Sequence, residues 1–248
     1  MSGPGGRCMG APAKDAVIPM IRARGIGIVA ILAGPELLNE ENHPTHGAAL
    51  AHTHEEEVRA FYEAYQGLLQ GTGLTAAAHK SGFKTIANLW ADLGGGDWNT
   101  LFRDILNDAW GRDSIDIVAI DHYPGTWCCG SNYRDWAALD TLLGIARDYG
   151  KEMAIMETGF SSWTWPNGQQ DQERFVNEAM DEVWSKGTNA NRNYPLNSLL
   201  LTSWYELVDA CSGCAFDIEQ HFGILTSTAP WGVKLAFDDL RYQVGRWT

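Results

Sequence analysis

Apolar residues recur along this chain in two alternating rhythms. Short continuous apolar runs, the mark of strands buried on both faces, alternate with stretches in which apolar residues return every three to four positions, the mark of amphipathic helices. Residues 15–24 place Val17, Ile18 and Ile21 on one helical face, Gly25 can end that helix, and Ile26 to Ala33 follows as a buried strand. Leu37 and Leu38 make at most a short strand before Asn39 and Glu40, and a polar loop carrying His43, His46, His52 and His54 leads into the next helix. Thr53 and Glu56 fit a capping box at its start, and Val58, Phe61, Tyr62, Tyr65, Leu68 and Leu69 form its apolar face. Thr85 to Trp90 reads as a strand, Leu101, Phe102, Ile105 and Leu106 mark a helix, and Ile115 to Tyr123 reads as a strand whose polar residues gather at its C-terminal end. A helix over 133–149 stops at Gly150, Met153 to Met156 forms a strand ending on Glu157, and 171–186 is a helix through Phe175, Val176, Ala179 and Val183. Leu199 to Leu207 is the last clear strand, and a helix near 232–243 follows.

Strand and helix therefore alternate, and several strands run into polar, aromatic C-terminal ends. This predicts an α/β fold with a parallel sheet, and functional residue types after several different strands favour a barrel mouth over the single crevice of an open sheet. The fold class expected is a (β/α)8 TIM-barrel type, incomplete, with six recognisable strands. Residues 1–12 read as a flexible leader and 13–248 as one barrel domain. No Gly-x-Gly-x-x-Gly follows a strand and no P-loop is present, so the sequence carries no nucleotide signature.

Charge narrows the partners. A formal net charge of -13 repels nucleic acid and anionic membrane surfaces alike. No apolar run is long enough to span a bilayer. Eleven Trp in 248 residues is a high count; many must lie in the core, but Trp is also a side chain on which sugar rings stack. Trp90, Trp127, Trp163 and Trp165 fall in or near loops at the strand ends, where each is a candidate sugar subsite or loop packing. Cys8 lies in the leader, while Cys128-Cys129 and Cys211-x-x-Cys214 are compatible with loop disulfides, a metal site or reduced thiols. A disulfide clip is favoured, because adjacent Cys128 and Cys129 chelate a tetrahedral ion awkwardly. The histidines of the 43–54 loop have no defined ligand spacing, so no metal is expected.

Two acids stand out for chemistry. Glu40 and Glu157 each follow a strand, and paired carboxylates facing one another across a pocket can cleave a glycosidic bond. One protonates the leaving oxygen; the other attacks the anomeric carbon or activates water. Tyr123 and His122, at the neighbouring strand's end, are suitable hydrogen-bond donors to Glu157, and Asn39 to a sugar hydroxyl. No cofactor is needed for this chemistry.

The ordered set Leu38-Asn39-Glu40, Asp121-His122-Tyr123-Pro124, Glu157-Thr158-Gly159-Phe160 and Ser203-Trp204-Tyr205 resembles strands four, six, seven and eight of the retaining (β/α)8 glycoside hydrolases of clan A, the cellulase-, mannanase-, xylosidase- and β-glucosidase-like enzymes. Phe222-Gly223-Ile224-Leu225 and Trp231-Gly232-Val233-Lys234 resemble the tail those enzymes carry before their last helix, so the likeness spans roughly residues 36–245. The resemblance implies that Glu40 is the general acid/base, with Asn39 beside it on the sugar 2-hydroxyl. It implies that Glu157 is the nucleophile, hydrogen-bonded by Tyr123, that Trp204 is the platform under the sugar being cleaved, and that His122 lines the same subsite. Retention would set the two carboxyls about 5–5.5 Å apart. The substrate implied is a β-linked oligo- or polysaccharide, and the location extracellular or periplasmic.

The sequence departs from that family at its N-terminal side. Its first two strands have no counterpart, and only Gly34-Pro35 stands where a third helix belongs. A shortened barrel exposes sheet edges, which predicts self-association to cover them. It also raises an alternative of a different class: a carbohydrate-binding relic that keeps the aromatic mouth without turnover.

Overall fold

The computed structural model describes residues 54–67, 73–92, 98–126, 132–163, 168–212, 218–227 and 230–246. The expected leader, the helix over 15–24, the strand over 26–33, the Asn39-Glu40 pair and Leu68-Leu69 lie outside these residues. In chain order the elements are α1 (His54–Gln66), α2 (Leu74–Lys80), β1 (Ile86–Trp90), α3 (Trp98–Asn107), α4 (Ala109–Ser114), β2 (Ile117–Asp121), α5 (Ala137–Tyr149), β3 (Glu152–Thr158), α6 (Gln169–Asn193), β4 (Leu199–Trp204) and α7 (Ala236–Arg246). Short 3-10 turns occupy Pro195–Asn197 and Ile218–His221.

Among the described residues the four strands form one parallel sheet in the order β1-β2-β3-β4. Neighbours in sequence are neighbours in space, and the order never reverses. That is the progression of barrel staves rather than of a doubly wound sheet. The connecting helices pack on one face of the sheet. On that face Leu89, Val118, Ile120, Met153 and Ile155 meet Phe102, Ile105, Leu142, Phe175 and Val183 in the main core. The opposite face carries a separate small cluster of Ile117, Ala119 and Ala154, flanked by Ile86, Met156, Leu200 and Leu201. It is the face around which a barrel closes.

Most expected elements are present with shifted ends. In α3, Leu101, Phe102, Ile105 and Leu106 are all buried, and Gly150 ends α5 at φ 66, where its left-handed conformation costs glycine nothing. α6 runs on to Asn193 because small buried residues, Gly187 and Ala190, continue the stripe begun by Val183. The last helix starts at Ala236, not near 232. Val233 bridges Leu225, and Lys234 is drawn into a buried ion pair, so neither belongs to a helix. β4 ends at Trp204 rather than Leu207. α2 and α4, seven and six residues long, are too short to show a period in the sequence.

One irregularity decides which side chains reach the inner face. β2 and β3 pair Ala119 with Ala154 and Ile120 with Ile155, but then Asp121 with Glu157, so Met156 is an extra residue in β3. Strand side chains alternate between faces, and one inserted residue turns everything after it over. Ile155 points to the helices and Met156 packs on the inner-face cluster, so strict alternation would drive Glu157 into the helix-side core. The bulge sets Glu157 beside Asp121 instead. The same counting against β4 pairs Ile155 with Thr202 and Thr158 with Trp204, which puts Trp204 on the helix face.

Beyond the strands, the two loops of the C-terminal end are tied by one side chain. Buried Gln172, in the first turn of α6, donates from Nε2 to the carbonyls of Phe160 (2.8 Å), Gly223 (3.1 Å) and Phe222 (3.2 Å). Gln172→Leu removes this shared donor while filling its volume. A loss of about 2 kcal/mol is expected, read as a lower urea midpoint at an unchanged slope; an unchanged midpoint contradicts the tie.

Candidate active site

Inward-facing positions at the C-terminal ends of β1 to β4 bring together Asn88, Asp121, Tyr123, Glu157 and Tyr205. Asn88 Nδ2 donates to Asp121 Oδ2 at 2.5 Å, with both residues buried. The Tyr123 hydroxyl donates to Glu157 Oε2 at 2.7 Å. Tyr123 is only 5% exposed, and its ring meets Phe222 and Tyr205 edge-on at 5.5 and 6.3 Å. Tyr205 in turn meets Phe222 at 5.4 Å. Gly159 makes this close approach possible: a Cβ there would stand 2.0 Å from the Tyr205 carbonyl oxygen. A half-buried carboxylate is thus held by a phenol inside an aromatic wall, an environment in which hydrogen bonds to the charged form are strong.

His122 is adjacent in sequence but turned the other way. Its ring stands edge-on to Trp136 at 5.0 Å, on the helix side. Its Nε2 lies 2.7 Å from the Asp135 carbonyl oxygen and its Nδ1 2.7 Å from Asp92 Oδ1. The Nδ1 contact is short yet off the ring's N–H direction, so charge attraction rather than a linear hydrogen bond holds it. Burial pushes the imidazole pKa down, but the Asp92 carboxylate and the Asp135 carbonyl outweigh it, and the net shift is upward. Both ring nitrogens are thus engaged by the protein, which leaves His122 in a supporting place rather than lining a sugar subsite.

The other candidates are distributed as follows. Trp90 is 8% exposed and donates its indole N–H to Asp92 Oδ2 at 3.2 Å. Trp204 packs on Phe175 of α6 at 5.9 Å and donates its indole N–H to the Glu206 carbonyl, so the residue exposed toward Tyr123 and Phe222 is Tyr205. Trp163, 39% exposed, stacks on His221 at 5.0 Å. Glu40, Asn39, Trp127, Trp165, Cys8, Cys128, Cys129 and Cys214 lie outside the described residues. Asp92, Asn88 and Tyr205 are the site residues that sequence reasoning passed over. The signal for Tyr205 is the alternation of β4, readable only once the bulge in β3 fixes the register.

A second polar cluster stands beside the first. Buried Lys234 donates from Nζ to Asp209 Oδ1 (2.5 Å) and Ser162 Oγ (2.8 Å), fastening the loop after β3 to the loop after β4. Burial holds the Lys234 ammonium below its ordinary range despite Asp209. Glu206 shares that one lysine with Asp209. Burial, with the nearby Asp209 and Glu219 charges, pushes its carboxyl up to about 7, against the opposing pull of the Ala210 N–H and Lys234.

That shift has a defined sign. Between pH 4.5 and about 7 the folded chain keeps a proton on Glu206 that the unfolded chain has released. Stability therefore falls as pH rises through this window. Glu206→Gln removes the dependence. It is expected to exceed the wild type by about 1–2 kcal/mol at pH 8, discounted for partial solvent screening, and to match it at pH 4 by urea unfolding. An equal gap at both pH values contradicts the assignment.

No family model matches the chain, and no curated protein matches it in sequence. Among solved structures it is similar to a Bifidobacterium dentium β-glucuronidase complexed with coumarin-3-O-glucuronide, with a TM-score of 0.51 and 18% identity over 89% of this chain and 30% of that one. It is similar also to a β-glucosidase, with a TM-score of 0.52 and 14% identity over 81% of this chain and 53% of that one. The chain thus spans between about a third and a half of these proteins' lengths. The likeness is one of fold: the consecutive parallel strands and their one-sided helices are those of a (β/α)8 barrel.

Proposed function

We propose that the chain is a retaining glycoside hydrolase acting on β-linked glycans, with Glu157 as its nucleophile. The observation that carries this reading is the Glu157 carboxylate at the C-terminal end of a barrel strand, turned inward by the β3 bulge and hydrogen-bonded at Oε2 by Tyr123. A nucleophile must be ionised, and a phenol donating to the carboxylate stabilises that form. Glu40, the acid/base implied by the family resemblance, would protonate the leaving oxygen as a Glu157 oxygen bonds the anomeric carbon and the glycosidic C–O bond breaks. Water, deprotonated by the same residue, would then displace Glu157 and restore it. Asn39 would hold the sugar 2-hydroxyl. Tyr205, whose ring meets Tyr123, would meet the sugar ring in place of Trp204, and the β-glucuronidase and β-glucosidase similar in fold accord with a β-linked substrate.

A location outside the reducing cytoplasm belongs to the same proposal, because Cys211, in the loop after β4, is disulfide-bonded.

The test is hydrolysis of aryl β-glycosides and of β-glucan, xylan and mannan by the wild type beside Glu157→Gln. Turnover on at least one substrate, reduced about 10³-fold or more in the variant, is expected. Binding of glycans without turnover by folded wild type would replace this reading with that of a carbohydrate-binding protein.

A further inference from the structure

Three residues that look in sequence like substrate contacts, Trp90, His122 and Tyr123, meet at one acid that does not. Asp92 follows β1, and its side chain is 10% exposed. Its Oδ1 faces His122 Nδ1 at 2.7 Å. Its Oδ2 accepts the Tyr123 backbone N–H at 2.8 Å and the Trp90 indole N–H at 3.2 Å. We propose that Asp92 is a positioning residue: one carboxylate that gathers the ends of β1 and β2 and so fixes the Tyr123 hydroxyl on Glu157.

The geometry makes the coupling direct. Tyr123 stands beyond the end of β2, where the strand ladder no longer determines its backbone. Asp92 grips that backbone at the N–H, and Phe222 and Tyr205 confine the ring, which together aim the hydroxyl at Glu157 Oε2. Asp92 is itself held in place by His122. The Asp135 carbonyl can only accept, so Nε2 carries a proton, and Nδ1 faces a carboxylate; a ring so placed is an imidazolium that neutralises Asp92 in a buried setting. The groups facing that ring are Asp92 from the β1 side, the carbonyl and carboxylate of Asp135 ahead of α5, and the edge-on Trp136 ring. Removing the Asp92 charge leaves the imidazolium without its partner and loosens the hold on the Tyr123 N–H, because a neutral amide oxygen accepts more weakly than a carboxylate. The phenol then no longer stabilises ionised Glu157.

This inference rests on the functional reading above only for its consequence in catalysis. Its structural core can be measured without turnover. The experiment follows the Glu157 carboxyl by ¹³C NMR in Glu-labelled full-length chain, with the resonance assigned by its loss in Glu157→Gln, across pH in the wild type, Asp92→Asn, Tyr123→Phe and the double variant. Asp92→Asn is expected to move the Glu157 titration to higher pH by about one unit, the scale of one lost hydrogen bond to a carboxylate. Tyr123→Phe should do the same, and the double variant no more. In parallel, ¹H–¹⁵N spectra should show His122 protonated on both nitrogens at pH 7 in the wild type and on one in Asp92→Asn. A Glu157 titration unmoved in Asp92→Asn, or shifts that add in the double variant, would overturn the proposal even if the chain hydrolyses glycosides. Absence of all hydrolysis with the predicted shifts intact would instead sink the enzymatic reading alone. Should Asp92→Asn fold poorly, Asp92→Glu, which keeps the charge at altered reach, is expected to retain a doubly protonated His122 and a smaller Glu157 shift. A neutral His122 in that variant and in the wild type would equally overturn the proposal.

Discussion

A single extra residue in β3 governs the chemistry this molecule can present. Hydrogen-bond register in a parallel sheet leaves each strand residue two directions, toward the helices or away from them. Met156, inserted between the Ile120–Ile155 and Asp121–Glu157 pairs, exchanges those directions for everything downstream. Without it, Glu157 would meet the apolar helix-side core, where a charge has no partner and a large desolvation cost. With it, Glu157 joins Asp121 and Tyr123 on the inner face, while Trp204 opposite Thr158 is committed to the helices.

Two buried ion clusters then brace the mouth on either side of that carboxylate. Asp92 with His122 ties β1 to β2; Asp209 with Lys234 ties the loop after β3 to the loop after β4. Neither arrangement is a strong source of net stability, because desolvation offsets most of the attraction in a buried pair. What each provides is position: breaking one partner leaves the other charged and buried, so the alternative loop arrangements are unfavourable. Gln172 adds a neutral tie between the same two loops. The aromatic side chains between them, Tyr123, Tyr205 and Phe222, are packed edge to face and so have little freedom to turn.

The sequence pattern reveals the strand–helix alternation, the parallel sheet and the acid at the end of β3, because apolar runs and amphipathic stripes each leave a period that can be counted. Tyr123 is equally legible as a donor beside Glu157, since two adjacent strands ending in polar residues must bring those residues close. Register is where such reading stops. A bulge leaves no trace in composition, and a chain written Ser203-Trp204-Tyr205 offers two neighbouring aromatics, of which the larger invites the choice. Structure selects the smaller one, Tyr205, for the inner face. His122 and Trp90 mislead for a related reason: a polar tip at a strand end looks like a ligand contact, yet here both tips are turned to Asp92, a loop residue with no motif around it. Asp92 itself is visible only through its three partners in space.

The proposed mechanism turns on a covalent bond between Glu157 and the sugar. It is read most directly from the mass of the protein after incubation with a panel of activated 2-deoxy-2-fluoro β-glycosides, followed by peptide mapping. The fluorine slows both steps, and the good leaving group restores the first, so a glycosyl-enzyme accumulates. A stoichiometric gain of one fluoroglycosyl group is expected on the peptide holding Glu157, located at that residue. A label on another carboxylate, or steady turnover with no label on any, would contradict it.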